Sequence, residues 1–328
     1  MNNMHNKTPM LICFALCPAL LAPLSAALAA PLAAPLAAPS QSAPGAASAS
    51  ASAPALLRQI KQASQARHFS APDAQEMAQA ERLFAQLFAG AAFKQVQNTA
   101  QALQMELTQQ GDLWLLQEAA EARRGRGFYA FRSSGQTILQ MPHSFKDEMT
   151  REIGVQLCIE AGAAVRAAAW NSVPRRFEAE DGTQINADLA HLPHSWLIAF
   201  TRAAAASGKA QRILQLHGFE QGKRKQSALQ DADMILSAGH AAPPPALRQA
   251  RAELAKRLQR KIALYGEDAH ELGATTNQQA AALRAQPGFA AQMQFVHIEM
   301  SRELRADLQA QAGLRAHWLA ALLAQGGQ

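Results

Sequence analysis

Three short apolar runs, each ending on a residue that can bind a metal or move a proton, constrain this chain most. Thr137-Ile-Leu-Gln-Met runs into Pro142-His143, Arg212-Ile-Leu-Gln-Leu into His217-Gly218, and Gln294-Phe-Val-His-Ile into Glu299-Met-Ser301. Apolar runs of this length, bounded by Pro, Gly or Ser, read as buried strands. Val165–Trp170 and 232–239 read the same way, as does 261–265. Helical segments lie between them: 150–161, Trp196 to Ala206, and a stretch marked by Leu247, Ala250, Leu254 and Leu258. Strands alternating with helices predict an α/β fold with a mixed, largely parallel sheet flanked by helices. In such sheets ligands bind in the crevice outside the carboxyl ends of the strands. Two histidines and a glutamate at three strand ends therefore predict one crevice.

Carboxylates follow His143 at Asp147 and Glu148. A mononuclear zinc hydrolase needs three protein ligands and one open position. His143, Asp147 and His217 are the expected ligands, with Glu148 the alternative to Asp147. Glu299 is the expected general base. A substrate carboxylate calls for a cation, because a guanidinium forks onto it bidentately. Arg302 is the first choice and Arg305 the second. Asn171 and Arg175, with Arg176, follow the strand at 165–170 and are candidates to reach the same crevice. Asp188, His191 and His194 form a second possible metal cluster, read more readily as a loop near the site.

The rest of the chain frames that domain. Lys7, the apolar stretch Met10 to Cys17 and the small-residue site Ala27-Leu28-Ala29 read as a secretory signal over 1–29, which implies a periplasmic or secreted protein. Pro interrupts the span, so no stable membrane insertion is expected once it is removed. Residues 30–54, almost wholly Ala, Pro, Ser, Gly and Leu, read as a disordered linker. A helical extension is expected over 55–110. Ser70 to Asp73 is a start signal, Met77, Phe84, Leu87 and Phe88 share a face, and Gly90 offers a stop. Phe93, Val96, Ala100 and Leu103 carry the helical spacing on toward Gly111. The α/β domain then fills 111–328, and Gly127 to Arg132 is a candidate hairpin partner of 137–142.

The formal net charge is +6, and +5 without the segment carrying Lys7. The basic clusters, Arg123 to Arg126 and Lys223 to Lys225, lack interleaved aromatics, which argues against nucleic acid as a partner. Of the 3 cysteines only Cys158 lies beyond the signal, so no intrachain disulfide is expected in the processed chain. Its apolar neighbours mark it as packing.

Pro142-His-Ser-Phe-Lys-Asp-Glu-Met-Thr150, Leu216-His-Gly218 and Val296-His-Ile-Glu-Met-Ser-Arg-Glu-Leu-Arg305 stand in the same order as motifs of two related groups. The chain thus resembles the poly-gamma-glutamate hydrolases and N-formylglutamate amidohydrolases, within the zinc carboxypeptidase-like hydrolases. The resemblance covers about 130–310. Asn277 corresponds to an Asn in the loop before the last strand, and Met149 stands where those motifs usually carry Gly. The resemblance implies a mixed eight-stranded sheet between helices, a Zn2+ cofactor, and cleavage of an amide beside a carboxylate in a small acidic amide or peptide. An inactive hydrolase-fold binding protein and an exported scaffold are the alternative readings.

Overall fold

The computed structural model describes residues 52–66, 68–179, 181–286, 288 and 293–324. The expected signal, and the linker through residue 51, lie outside the described residues. The described chain begins with α1 (Ala53–Ala63), α2 (Ala74–Ala89) and α3 (Phe93–Ala102). Next come β1 (Met105–Gln110), β2 (Leu113–Glu118), β3 (Phe128–Phe131), β4 (Thr137–Met141), α4 (Thr150–Glu160) and β5 (Val165–Trp170). A small hairpin of β6 (Arg176–Glu178) and β7 (Gln184–Asn186) precedes α5 (Trp196–Ala206) and β8 (Arg212–Gly218). The remainder is β9 (Met234–Ser237), α6 (Pro245–Leu258), β10 (Ile262–Leu264), α7 (Gln278–Arg284), β11 (Gln294–Met300), α8 (Arg302–Ala310) and α9 (Ala312–Leu323).

Nine strands form one mixed sheet in the order β1-β2-β3-β5-β4-β8-β11-β9-β10. Its centre, β5-β4-β8-β11, is parallel. The strands β1, β2 and β3 extend it in antiparallel fashion beyond β5, and β9 runs antiparallel to β11. The resemblance implied eight strands; this sheet has nine.

Three further expectations are corrected. β3 and β4 are not a hairpin, because β5 lies between them. The segment joining them instead bonds to β5 and the turn before it: Arg132 N donates to Arg166 O at 2.7 Å and Gln136 N to Ala164 O at 3.4 Å. The helical extension does not run to residue 110 either. Met105 and Leu107 alternate with exposed residues, so the segment buries one side as a strand and pairs with β2. A domain boundary at 110 would cut that hairpin. α1 likewise begins at Ala53, inside the expected linker, and sinks Leu56 and Ile60 into the core beside α4.

Strand alternation sorts the central sheet into two faces. Leu139 and Met141, Leu214 and Leu216, and Val296, Ile298 and Met300 share one core with α4, α6, α8 and α9. Ile138, Ile213 and Phe295 share the other with α2, α3 and α5. On this second face the next positions along the strands turn polar. Gln140, Gln215 and His297 sit side by side in register, and beyond them His217 lies beside Glu299; all five are buried.

Of the amino-terminal helices, α2 and α3 are integral to this face. Asp73 caps α2 by accepting from Glu76 N at 2.8 Å, and Gly90 ends it at φ 75°. The ring of Phe84 then meets Tyr129 at 4.8 Å, Phe200 at 5.4 Å and Trp196 at 5.7 Å. Phe84→Ala should cost about 3–5 kcal/mol in one cooperative urea transition. A separate early transition, with the main one unmoved, would show α2 to be an independent attachment.

Candidate metal centre

The site begins with a turn. After β4 the chain coils once, so that Lys146 N and Asp147 N both donate to His143 O at 2.9 Å. That turn stacks the side chains of His143 and Asp147 on one side, four residues apart. Met149 then takes φ 71°, the left-handed conformation that favours glycine, and Thr150 starts α4 with its Oγ1 donating to Asp147 O at 2.7 Å. Met149 is the position where the resembled motifs carry Gly. Asn171 anchors the same turn: its Oδ1 accepts from Ser144 N at 2.9 Å and from Ser144 Oγ at 2.6 Å.

Hydrogen bonds decide which ring nitrogens face inward. Asp188 Oδ1 lies 2.8 Å from His143 Nε2, which places a proton on that nitrogen and leaves Nδ1 as a lone pair. For His217 the decision is made by buried amides. Gln279 Nε2 donates to Leu189 O at 2.8 Å, so its Oε1 faces Gln215 Nε2 at 3.2 Å. Asn277 Oδ1 accepts from Ala280 N at 2.9 Å, so its Nδ2 donates to Gln215 Oε1 at 2.7 Å. Backbone groups at both ends thus fix Gln215 Oε1 as an acceptor. His217 Nε2, 3.1 Å from that oxygen, must carry the proton, and His217 Nδ1 is bare.

Three lone pairs therefore converge. Asp147 Oδ2 lies 3.1 Å from His217 Nδ1 and 3.6 Å from His143 Nδ1. Acceptors this close repel unless a proton or a metal ion lies between them. Tetrahedral bonds of about 2.0–2.1 Å set neighbouring donor atoms roughly 3.3–3.4 Å apart, so the donor set fits a divalent metal. The outer partners fit as well: each ring donates its other N–H, His143 to a carboxylate and His217 to an amide oxygen, as metal-bound imidazoles do.

The titration of these groups follows from the same contacts. Burial opposes charge on His143, but the hydrogen bonds and charges of Asp147 and Asp188 outweigh it and raise its pKa. A metal ion would displace that proton. At His217 burial prevails and the pKa falls. Asp147 and Asp188 resist burial through their histidine partners and stay well below the usual carboxylate range. Burial, reinforced by the charge of Asp147, pushes Glu299 up to about 8.

The cluster floors a cavity of about 450 Å³ that Glu299, Arg175 and Arg305 also line. Other expected residues fall elsewhere. Glu148 points outward, 63% exposed, and pairs at 3.5 Å with Arg302, itself 77% exposed; the turn that brings Asp147 in carries Glu148 out. Arg302 is thus on the surface, and Arg305 is the arginine at the cavity. Its guanidinium bonds to Glu148 O and Met300 O, and no carboxylate pairs with it among the described residues. A Cβ at Gly218 would lie 2.2 Å from Arg305 Nη1. The glycine therefore makes room for that arginine. Asn171 spends its amide on Ser144 and on Val173 O, and does not line the cavity. The second expected cluster divides: Asp188 orients His143 and pairs with Arg175 at 2.7 Å, His191 reaches Asp188 from the rim at 3.0 Å, and His194 is exposed. Gln215 and His297 were not anticipated. Their signal was a polar residue inside an apolar run, two positions before the strand-end residue.

No protein-family model and no curated protein sequence matches the chain. Solved structures do. A bacteriophage poly-gamma-glutamate hydrolase is 12% identical with a TM-score of 0.33, over 60% of this chain and 84% of that one. An aspartoacylase family protein from Mesorhizobium loti is 15% identical with a TM-score of 0.36, over 66% of this chain and 70% of that one. The first is of a group that the motif order resembles.

Asp188→Asn leaves His143 without its charged partner and should weaken zinc binding about 10–100-fold by competition with a chromophoric chelator. Glu148→Gln should leave binding unchanged. Equal effects would mean that Asp188 does not orient His143.

Proposed function

We propose that this protein is an exported zinc-dependent amide hydrolase that cleaves an amide bond next to a substrate carboxylate. The observation that carries the reading is the convergence of His143 Nδ1, His217 Nδ1 and Asp147 Oδ2 at a cavity floor beside a buried Glu299. Zinc, when bound, supplies Lewis acidity, which polarises a carbonyl and makes water nucleophilic at neutral pH. The chain's own residues do the rest. Asp188 and Gln215 hold the two imidazoles with their lone pairs inward. Glu299, as general base, takes a proton from the attacking water and hands it to the leaving nitrogen. Its raised pKa suits both halves of that transfer. Arg305 receives the substrate carboxylate, since it reaches the cavity without a carboxylate of its own. Arg175 and Lys146 add positive charge to the wall, in keeping with a small acidic amide or peptide as substrate. Export rests on the signal-like segment over 1–29, and among the described residues no helix is long and apolar enough to cross a membrane.

Elemental analysis and a hydrolysis panel test the reading together. Wild type should carry one zinc per chain and hydrolyse at least one of N-formyl-L-glutamate, N-acetyl-L-aspartate and a gamma-glutamyl dipeptide. His143→Ala should lose both properties. Glu299→Gln should keep zinc and lose about 10²–10⁴-fold in kcat. Failure of wild type to take up zinc would end the proposal; zinc without turnover would favour a binding protein.

The Glu299 carboxyl offers a second check. In zinc-free protein its infrared band should titrate with a midpoint near the value of about 8 set by burial. Zinc favours the ionised form of a nearby carboxylate, so its addition should move the midpoint down. A midpoint unmoved by zinc would place Glu299 away from the ion.

A further inference from the structure

β11 sets His297 and Glu299 two residues apart on one face, and both line the cavity. His297 is 4% exposed, and its ring centre lies 4.6 Å from that of His217. Its Nδ1 is buried and meets no hydrogen-bond partner, while its Nε2 lies 3.7 Å from Glu299 Oε1. Among the described residues no other group comes within hydrogen-bond or ion-pair reach of the Glu299 carboxylate.

The partnerless nitrogen decides the tautomer. A buried N–H without an acceptor costs more than a buried lone pair without a donor. The proton therefore sits on Nε2, the side that faces Glu299. The gap is longer than a hydrogen bond, as catalytic contacts often are before substrate binds, and a small side-chain shift closes it. A second cation shared by His217, His297 and Glu299 is the competing use of these groups. His217 has no nitrogen left for it, because Nε2 is committed to Gln215 and Nδ1 to the Asp147 cluster.

We infer that His297 is the positioning residue for Glu299: its Nε2–H holds the base carboxylate at the cavity floor beside the metal ligands. This rests on the hydrolase reading for its consequence in turnover, but not for its geometry. It acts on the reaction through Glu299.

The test uses the full processed chain with zinc. His297→Ala should lower kcat about 10- to 100-fold on whichever panel substrate wild type turns over, with KM and zinc content unchanged. His297→Gln, whose amide N–H reaches where Nε2–H does, should recover most of that loss. Long-range proton–nitrogen correlation spectra, assigned by the Gln variant, should show His297 protonated at Nε2. Protonation at Nδ1, an undiminished kcat in the Ala variant, or zinc or fold lost in both variants would each overturn the inference. So would a second zinc per chain that disappears with His297. If wild type turns over nothing in the panel, the hydrolase reading fails on its own, and the tautomer still decides the positioning claim.

Discussion

Gln215 is buried in the middle of β8, and its side chain is shared among four others. Its oxygen accepts from Asn277 and His217, and its nitrogen donates to Gln140 and Gln279. Gln140 donates onward to Thr201 Oγ1, which itself donates to Leu197 O. The network ties β4, β8, α5 and α7 together through amide pairs whose orientations are fixed by backbone groups at the ends. Each amide in it has a partner on both its nitrogen and its oxygen. A half-satisfied version would be worse than an apolar core, because an unpaired amide in a low-dielectric interior keeps its full desolvation cost. The network fixes the proton on the outer nitrogen of His217. The candidate metal centre depends on that assignment, since it turns the contact with Asp147 from a hydrogen bond into two facing lone pairs that a cation would bridge.

The sheet delivers the other groups by register. Parallel pairing places His217 level with Glu299, and β4 ends close enough for one turn to bring His143 and Asp147 over the same spot. Small residues and strained ones then clear the space. Gly218 leaves room for the Arg305 guanidinium, and Met149 accepts a left-handed backbone so that α4 can start at once. Ser301 caps α8 directly after β11, accepting from Leu304 N at 3.2 Å. That sharp exit from strand to helix sets Arg305 one turn beyond Glu299.

The strands and their terminal histidines were legible because a short apolar run ending in a polar residue is a local signal. What was lost depended on geometry finer than the pattern. Asp147 and Glu148 are adjacent in sequence, and only the coil of the turn separates the buried one from the exposed one. Arg302 and Arg305 looked alike, yet Leu304 and Leu308 mark the buried stripe of α8 and Arg305 lies along it. That was available from helical spacing. The order of β3, β5 and β4 was not available, because all three strands are buried on both faces and the apolar pattern does not rank them. Residues 105–110 carried an alternating pattern, but the helical reading before it was extended about two turns too far.

Gln140, Gln215 and His297 break otherwise apolar strands, and the cost of doing so is distributed unevenly. The two glutamines are fully paired, so they contribute rigidity at little cost. His297 and Glu299, one strand over, are not: one ring nitrogen is orphaned, and among the described residues the carboxylate has only the imidazole beside it. Among the polar residues that interrupt these central strands, Gln140 and Gln215 are satisfied and His297, at the cavity floor, is not. A folded chain departs from local rules of polar satisfaction mainly where a function outweighs the stability lost. That step from paired to unpaired polar groups falls at the candidate site, where the lone pairs of His143, His217 and Asp147 converge.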